Sequence, residues 1–375
     1  MDFLWSFSED YIPLWYRILY GSIVLAVCLY AYFYVRNVKP DSSTKKYASI
    51  VFLLFFILFA VGYCINSDYF NYRNWVFYAN HWYDGDVSSV IYQRLAYWCN
   101  GNYNLFRAVV WGGALVIVYY TSRLLRTNTF LTLLFLFVFF NPLFCYARAS
   151  LAMAVFWLGV SVFITVGERT VLRKVLGILI IVSSIFIHRE MIVPLICFPF
   201  VFVSFKKKNT FFFIVLTIIA MILGGILLKN NIEILGDYYL DKVTKYEDQM
   251  AYGEMKWQQR NVNGMLRMYA GYLMFYILFF ILYRWLSSAK QSAIPDQYVK
   301  IYRITVGIVI STIAMVIVSG GVTVFFYRTL YTVQIPFALL CSCICSHKLY
   351  GTKAIQYMII YAFVYHAVGF VSMVN

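Results

Sequence analysis

Three arginines stand at or near the ends of long apolar runs, where topology alone does not call for charge: Arg148, Arg189 and Arg328. A charge near the bilayer centre costs about 2.5–3.5 kcal/mol on insertion scales, so residues of this kind generally serve a site. A guanidinium offers a planar fork of donors, and several in one cavity would suit a pyrophosphate. They could instead reach to the interface or, for Arg189, pair with Glu190. His188 precedes Arg189 and, with a reference pKa near neutrality, could take a proton from a sugar hydroxyl or donate to a phosphate oxygen. His81, His347 and His366 have no comparable company and read as structural. Asp68, in Asn66-Ser67-Asp68-Tyr69-Phe70-Asn71-Tyr72, could position or deprotonate a hydroxyl, or simply cap a helix. Asp84-Gly85-Asp86 could hold a cation on a phosphate but is also an ordinary turn sequence, and no metal site or cofactor is expected from it. P-loop, dinucleotide, HExxH and serine-nucleophile motifs are absent.

The elements that would position these residues are membrane helices. Of the 375 residues 62% are hydrophobic, 21% aromatic and 13% charged, about half the charge of a soluble domain. The eight cysteines are scattered through or beside apolar runs and read as embedded thiols rather than a disulfide framework. The net charge of +15 is spread thinly between apolar segments, which argues against nucleic acid. Apolar runs at Leu14–Tyr34, Tyr47–Ile65, Leu105–Ser122, Phe130–Phe140, Ala149–Val166, Val175–Ile187, Ile192–Phe205, Phe211–Leu228, Met268–Trp285, Ile301–Ser319, Phe325–Cys345 and Ala354–Met373 predict about twelve crossings. The expected fold is an all-α polytopic membrane protein, one transmembrane domain over residues 1–375, with no cleavable signal peptide. Two long loops, 66–104 and 229–267, are expected to carry amphipathic helices at the outer interface.

Charge sets the orientation. The loops holding Arg36, Lys39, Lys45, Lys46, Arg123, Arg126, Arg169, Arg173, Lys174, Lys206, Lys207, Lys208, Arg284, Lys290, Lys300, Arg303, Lys348 and Lys353 carry only three acids, so the whole excess of +15 falls on one side. That side is predicted to be cytoplasmic. The candidate residues then belong to the opposite, outer side of the membrane. The runs around Ile187-His188-Arg189-Glu190-Met191 are short and have basic outer flanks, which makes them a hairpin with His188 at its tip. Pro194 and Pro199 should disturb the returning helix.

Four of these stretches resemble the EpsG-like branch of the Wzy-type bacterial polysaccharide polymerases. They are Asp68-Tyr69-Phe70-Asn71-Tyr72, Arg148-Ala149-Ser150-Leu151-Ala152, His188 closing a short helix, and Phe326-Tyr327-Arg328-Thr329-Leu330-Tyr331 before Pro336. Arg189-Glu190 departs from the small polar residues usual after that histidine, and the Glu-Pro-rich stretch expected near Val87–Gln93 is missing. The resemblance implies a GT-C-like fold and metal-independent transfer of a growing glycan. The glycan leaves undecaprenyl pyrophosphate for a hydroxyl of the next lipid-linked repeat unit. It also implies a chain-length regulator as partner. In that scheme His188, Arg148, Arg328 and Asp68 are catalytic, and Arg189, Glu190, Tyr327, Tyr72 and Arg73 contact substrate. O-antigen ligase, a metal-dependent GT-C transferase using Asp84 and Asp86, and a flippase of lipid-linked glycans are the rival readings.

Overall fold

The computed structural model describes residues 12–37, 46–64, 73, 87–140, 147–165, 171–188, 191–202, 270, 273–284, 294–318, 332–346 and 352–374; at 87–89, 147–148, 313–318 and 372–374 it describes the backbone alone. Every regular element among the described residues is a helix. In chain order these are α1 Leu14–Asn37, α2 Lys46–Gly62, α3 Val87–Trp98, α4 Tyr103–Leu124, α5 Thr129–Phe140, α6 Ala147–Ile164, α7 Val171–Ile187, α8 Ile192–Phe202, α9 Leu273–Arg284, α10 Asp296–Val318, α11 Gln334–Ser346 and α12 Thr352–Val374. Helices α1, α4 and α12 are long and apolar enough to cross a bilayer by themselves, whereas α2, α5, α6, α8, α9 and α11 are apolar but shorter. The described residues are all-helical, and their apolar helices are compatible with a membrane protein.

Several boundaries differ from the apolar runs. Helix α7 begins four residues before Val175, and α10 begins five before Ile301, because Arg173, Lys174 and Lys300 extend each helix with a polar first turn. The returning limb of the hairpin passes from α-helix (Ile192–Cys197) into 3-10 helix (Phe198–Phe202), a change that falls between Pro194 and Pro199 as proline sterics require. Helix α4 starts at Tyr103, inside the stretch assigned to the first long loop. Its Ala108–Gly112 segment is π-helical. The run Phe211–Leu228, the loop 229–267 and most of 66–86 lie outside the described residues. Of the first loop, α3 is described: Tyr92 and Ala96 are buried along one face while Ile91, Arg94, Tyr97 and Trp98 are exposed.

Arg36, Arg123, Arg126, Arg173, Lys174, Arg284, Lys300 and Lys353 fall at one end of their helices, here the basic end. Hydrogen bonds fix the arrangement there. Gln297 Nε2 and the Tyr298 hydroxyl at the start of α10 donate to the Leu125 carbonyl at the end of α4, at 2.7 and 3.1 Å. Arg126 takes a left-handed φ of 54° and turns the chain. Asn128 Oδ1 then accepts from the Leu131 amide at 3.1 Å, capping α5. Ser342 of α11 donates to the Asn128 carbonyl at 2.9 Å.

All twelve residues of α5, Thr-Phe-Leu-Thr-Leu-Leu-Phe-Leu-Phe-Val-Phe-Phe, are buried. A helix apolar on every side belongs at the centre of a bundle. It rises only about 18 Å, and α11, buried from Gln334 to Cys345, rises about 20 Å, against a hydrocarbon core of about 30 Å. Both start or end at the basic end, so both stop short of the far one.

Candidate functional site

The far end of the bundle is built from helix ends. Helix α2 terminates there, and its last carbonyls are taken by side chains from two neighbours. Arg107 of α4, fully buried, donates from Nη2 to the Ala60 carbonyl at 2.8 Å and also to the Tyr63 carbonyl. The Tyr16 hydroxyl of α1 donates to the Gly62 carbonyl and accepts from the Cys64 amide at 3.0 Å. These bonds satisfy acceptors that a helix C-terminus leaves unpaired and place positive charge at the negative end of its dipole. The Arg107 guanidinium lies 4.2 Å from the Trp111 ring and 5.6 Å from the Tyr103 ring, a cation–π sandwich. The exit of α2 is therefore held by side chains of both α1 and α4. The sequence reading missed Arg107, although the Tyr103-Arg107-Trp111 spacing of four puts all three on one helix face.

Helices α6 and α7 meet backbone to backbone. A Cβ on Gly159 would lie 2.7 Å from the Ile181 nitrogen and 2.8 Å from the Gly177 oxygen, and one on Gly177 would lie 3.0 Å from both the Gly159 oxygen and the Phe163 nitrogen. Small residues permit this approach in membrane bundles. The contact also fixes register. The helices are antiparallel, so about nine residues from it along α7 reach His188, and about nine back along α6 reach Ser150. The backbone of Arg148 lies half a turn beyond Ser150, in the first turn of α6. His188 and the Arg148 backbone thus share one level, about 24 Å from the Ile164 end. His188 is half-buried. Its amide donates to the Ser184 carbonyl and its carbonyl accepts from the Met191 amide, both at 3.0 Å, so it closes α7 and opens the turn into α8.

A third connection ties α6 to the start of α11. The indole Nε1 of Trp157 donates to the Thr332 carbonyl at 2.7 Å, and Thr332 lies four residues after Arg328. Gln334, two residues on, is 0% exposed, and among the described residues neither its amide oxygen nor its nitrogen has a hydrogen-bond partner. Neither residue was singled out from the sequence; both sit in otherwise apolar runs, where a tryptophan and a lone glutamine give little signal.

Arg328, Tyr327, Asp68, Tyr72, Arg189 and Glu190 lie outside the described residues, as do Asp84 and Asp86. Arg73 is helical and half-buried. Among the described residues no three His, Cys, Asp or Glu side chains gather into a metal-binding group. His366 is buried with Nε2 2.9 Å from the Val138 carbonyl, the structural role expected of it. Cys28, Cys64, Cys99, Cys197, Cys341, Cys343 and Cys345 are buried free thiols.

Chemically, the far end offers an imidazole and the start of the helix that bears Arg148 at one height, and a cation-braced exit of α2. The family model described as the EpsG family matches residues 45–375. No curated protein and no solved structure matches the chain.

Proposed function

Because the chain belongs to the EpsG family, we propose that it is a polysaccharide polymerase that transfers a growing glycan from undecaprenyl pyrophosphate to a hydroxyl of the next lipid-linked repeat unit. The reaction takes place on the periplasmic side of the bacterial inner membrane, at the far end of the bundle, and uses no metal. The acceptor oxygen attacks the anomeric carbon of the donor, the bond from that carbon to the pyrophosphate oxygen breaks, and the hydroxyl proton passes to a base. His188 is that base. Arg148 and Arg328 stabilise the charge that develops on the departing pyrophosphate, and Arg189 contributes to binding it. Asp68 positions the acceptor, and Tyr72, Arg73, Glu190 and Tyr327 contact the sugars. The leaving pyrophosphate supplies the driving force, so no nucleotide is required. A chain-length regulator acts as partner.

The observation that carries this reading is the α6–α7 register. It sets His188 level with the start of the helix that bears Arg148, opposite the basic end. The test is the surface polysaccharide of a deletion strain on a gel, complemented with wild type or with Arg148→Ala. Wild type restores the ladder, and Arg148→Ala, present in the membrane at equal level, leaves single repeat units. Long chains that persist on their lipid carrier in the deletion strain would refute the assignment and point to a ligase.

A further inference from the structure

Helix α3 is fastened to the start of α4. Tyr92 packs edge-on against Phe106, with ring centroids 6.2 Å apart, and Tyr92, Ala96 and Cys99 are buried. In the turn between the two helices the Asn100 amide donates to the Tyr97 carbonyl and the Asn102 amide to the Cys99 carbonyl, both at 2.9 Å. Asn102 Oδ1 accepts from the Leu105 amide and caps α4. These bonds fix the height of α3. Helix α4 has 22 residues and rises about 33 Å, against a hydrocarbon core of about 30 Å. With Arg123 at the basic end, Tyr103 reaches the opposite boundary of lipid and water, and Trp98 lies five residues before it. The face of α3 turned away from the bundle is mostly apolar. Val90, Ile91, Arg94, Tyr97 and Trp98 recur at the spacing of one helix face and are all exposed, Tyr97 by 67% and Trp98 by 69%. Arg94 stands in the middle, one turn from each of the others. Among the described residues it makes no hydrogen bond or ion pair. The sequence of α3 holds no acid and no other cation.

We propose that this face is a binding site for an anionic phospholipid of the outer leaflet, with the Arg94 guanidinium on the lipid phosphate and Val90, Ile91, Tyr97 and Trp98 against the upper acyl chain. The proposal rests on the chain lying in a membrane with its basic end cytoplasmic, and not on the reaction it catalyses. Hydrocarbon removes the cost of leaving four large apolar side chains in water. Tyrosine and tryptophan settle at head-group level, with the ring body in lipid and the polar tip in water. An arginine reaches the same level along its aliphatic stem and grips phosphate oxygens with paired donors. Charge selects among lipids. The phosphate of phosphatidylcholine already faces the ammonium of its own head group, whereas that of phosphatidylglycerol does not. A pyrophosphate carries more negative charge than the single cation of α3 would balance. A second copy of the chain, docked on this face about a twofold axis, would set Arg94 against Arg94 with no acid to offset the repulsion.

The experiment places the purified full chain in nanodiscs of phosphatidylglycerol and phosphatidylcholine, with brominated acyl chains on one lipid or the other. Tryptophan quenching is compared between wild type and Trp98→Phe, and the difference is the emission of Trp98. Bromines near the head groups quench it more than bromines near the chain ends. Brominated phosphatidylglycerol is preferred about fivefold over brominated phosphatidylcholine. Arg94→Gln, compared with Arg94→Gln/Trp98→Phe, abolishes the preference, and Arg94→Lys keeps part of it. All these side chains are exposed, and a monodisperse chromatographic peak confirms that each variant is folded. Absence of quenching by either lipid overturns the proposal, because something other than lipid then covers the face. Equal quenching by the two lipids in wild type, or a preference that survives Arg94→Gln, also overturns it, because Arg94 then holds no phosphate. Relief of the quenching by lipid-linked repeat unit extracted from the deletion strain overturns it too, and assigns the face to substrate. None of these readouts requires polymerisation, so their failure is distinct from failure of the polymerase reading.

Discussion

Replacing Gly159 by alanine probes the contact on which the site geometry depends. The new Cβ would meet the Ile181 nitrogen at 2.7 Å and the Gly177 oxygen at 2.8 Å. Both are backbone atoms, so no side-chain rotation relieves the clash. Ordinary contact begins near 3.4 Å, so α7 must withdraw by about 0.6–0.7 Å. Overpacking of this kind costs about 1–3 kcal/mol, and the helix propensity of alanine over glycine returns about 0.8–1.0, which leaves a net loss of up to about 2 kcal/mol. Gly113 of α4 is the internal control, since a Cβ there meets nothing within 4 Å. Gly113→Ala should keep the propensity gain and raise stability by about 0.5–1 kcal/mol. The functional effect exceeds the loss of stability. Withdrawal of α7 carries His188 away from the α6 start, and a misplacement of about 1 Å can cost 10²-fold in rate. Folded Gly159→Ala protein should therefore polymerise at least about tenfold more slowly. The assay is heat-induced loss of the monodisperse chromatographic peak, followed by turnover per folded molecule. Equal stability and equal turnover in the two alanine variants would refute the claim that this contact sets the site.

Three other outcomes follow from the same geometry. Trp157→Phe keeps most of the ring but removes the indole N–H donated to the Thr332 carbonyl, costing about 0.5–1.5 kcal/mol; its ladder should shorten relative to wild type at matched abundance, and an unaltered ladder would separate this bond from function. Arg107→Met removes two donors from the α2 end together with the stack on Trp111, a loss of about 3 kcal/mol or more, which should appear as a sharp fall in the detergent-extracted fraction surviving mild heating, only partly recovered by Arg107→Lys. Treatment of the purified protein with a chelator should leave the product ladder unchanged, whereas a loss restored by a divalent cation would place the chemistry at Asp84 and Asp86.

Much of this was legible in the sequence, and what was not has physical reasons. The His188 hairpin could be read because basic residues flank two runs too short for separate crossings, and α7 and α8 follow that pattern. The segregation of charge gave the helix directions, which the bonds from Tyr298 to Leu125 and from Ser342 to Asn128 match. Which helices touch could not be read, because lipid-facing and protein-facing surfaces are equally apolar. Gly159 and Gly177 looked like any glycines until their backbones were seen in contact. No motif marks Arg107, although the aromatic rings at i−4 and i+4 are the local signal for its burial. The Trp157 bond spans 175 residues, a pairing no local pattern encodes. The EpsG resemblance agrees with the family match over residues 45–375.

Helix α5 also bears on how the protein is made. A segment of twelve residues is too short to be recognised as a span by itself, because independent insertion takes about 20 apolar residues. Part of its covering is made before it, since Phe137 packs on Phe52, Phe55, Phe56 and Phe59 of α2, and the rest comes from α11 some two hundred residues later in synthesis. The centre of the finished bundle is thus among its last parts to be enclosed. Until α11 arrives, the nascent chain must hold an incompletely covered hairpin in the membrane.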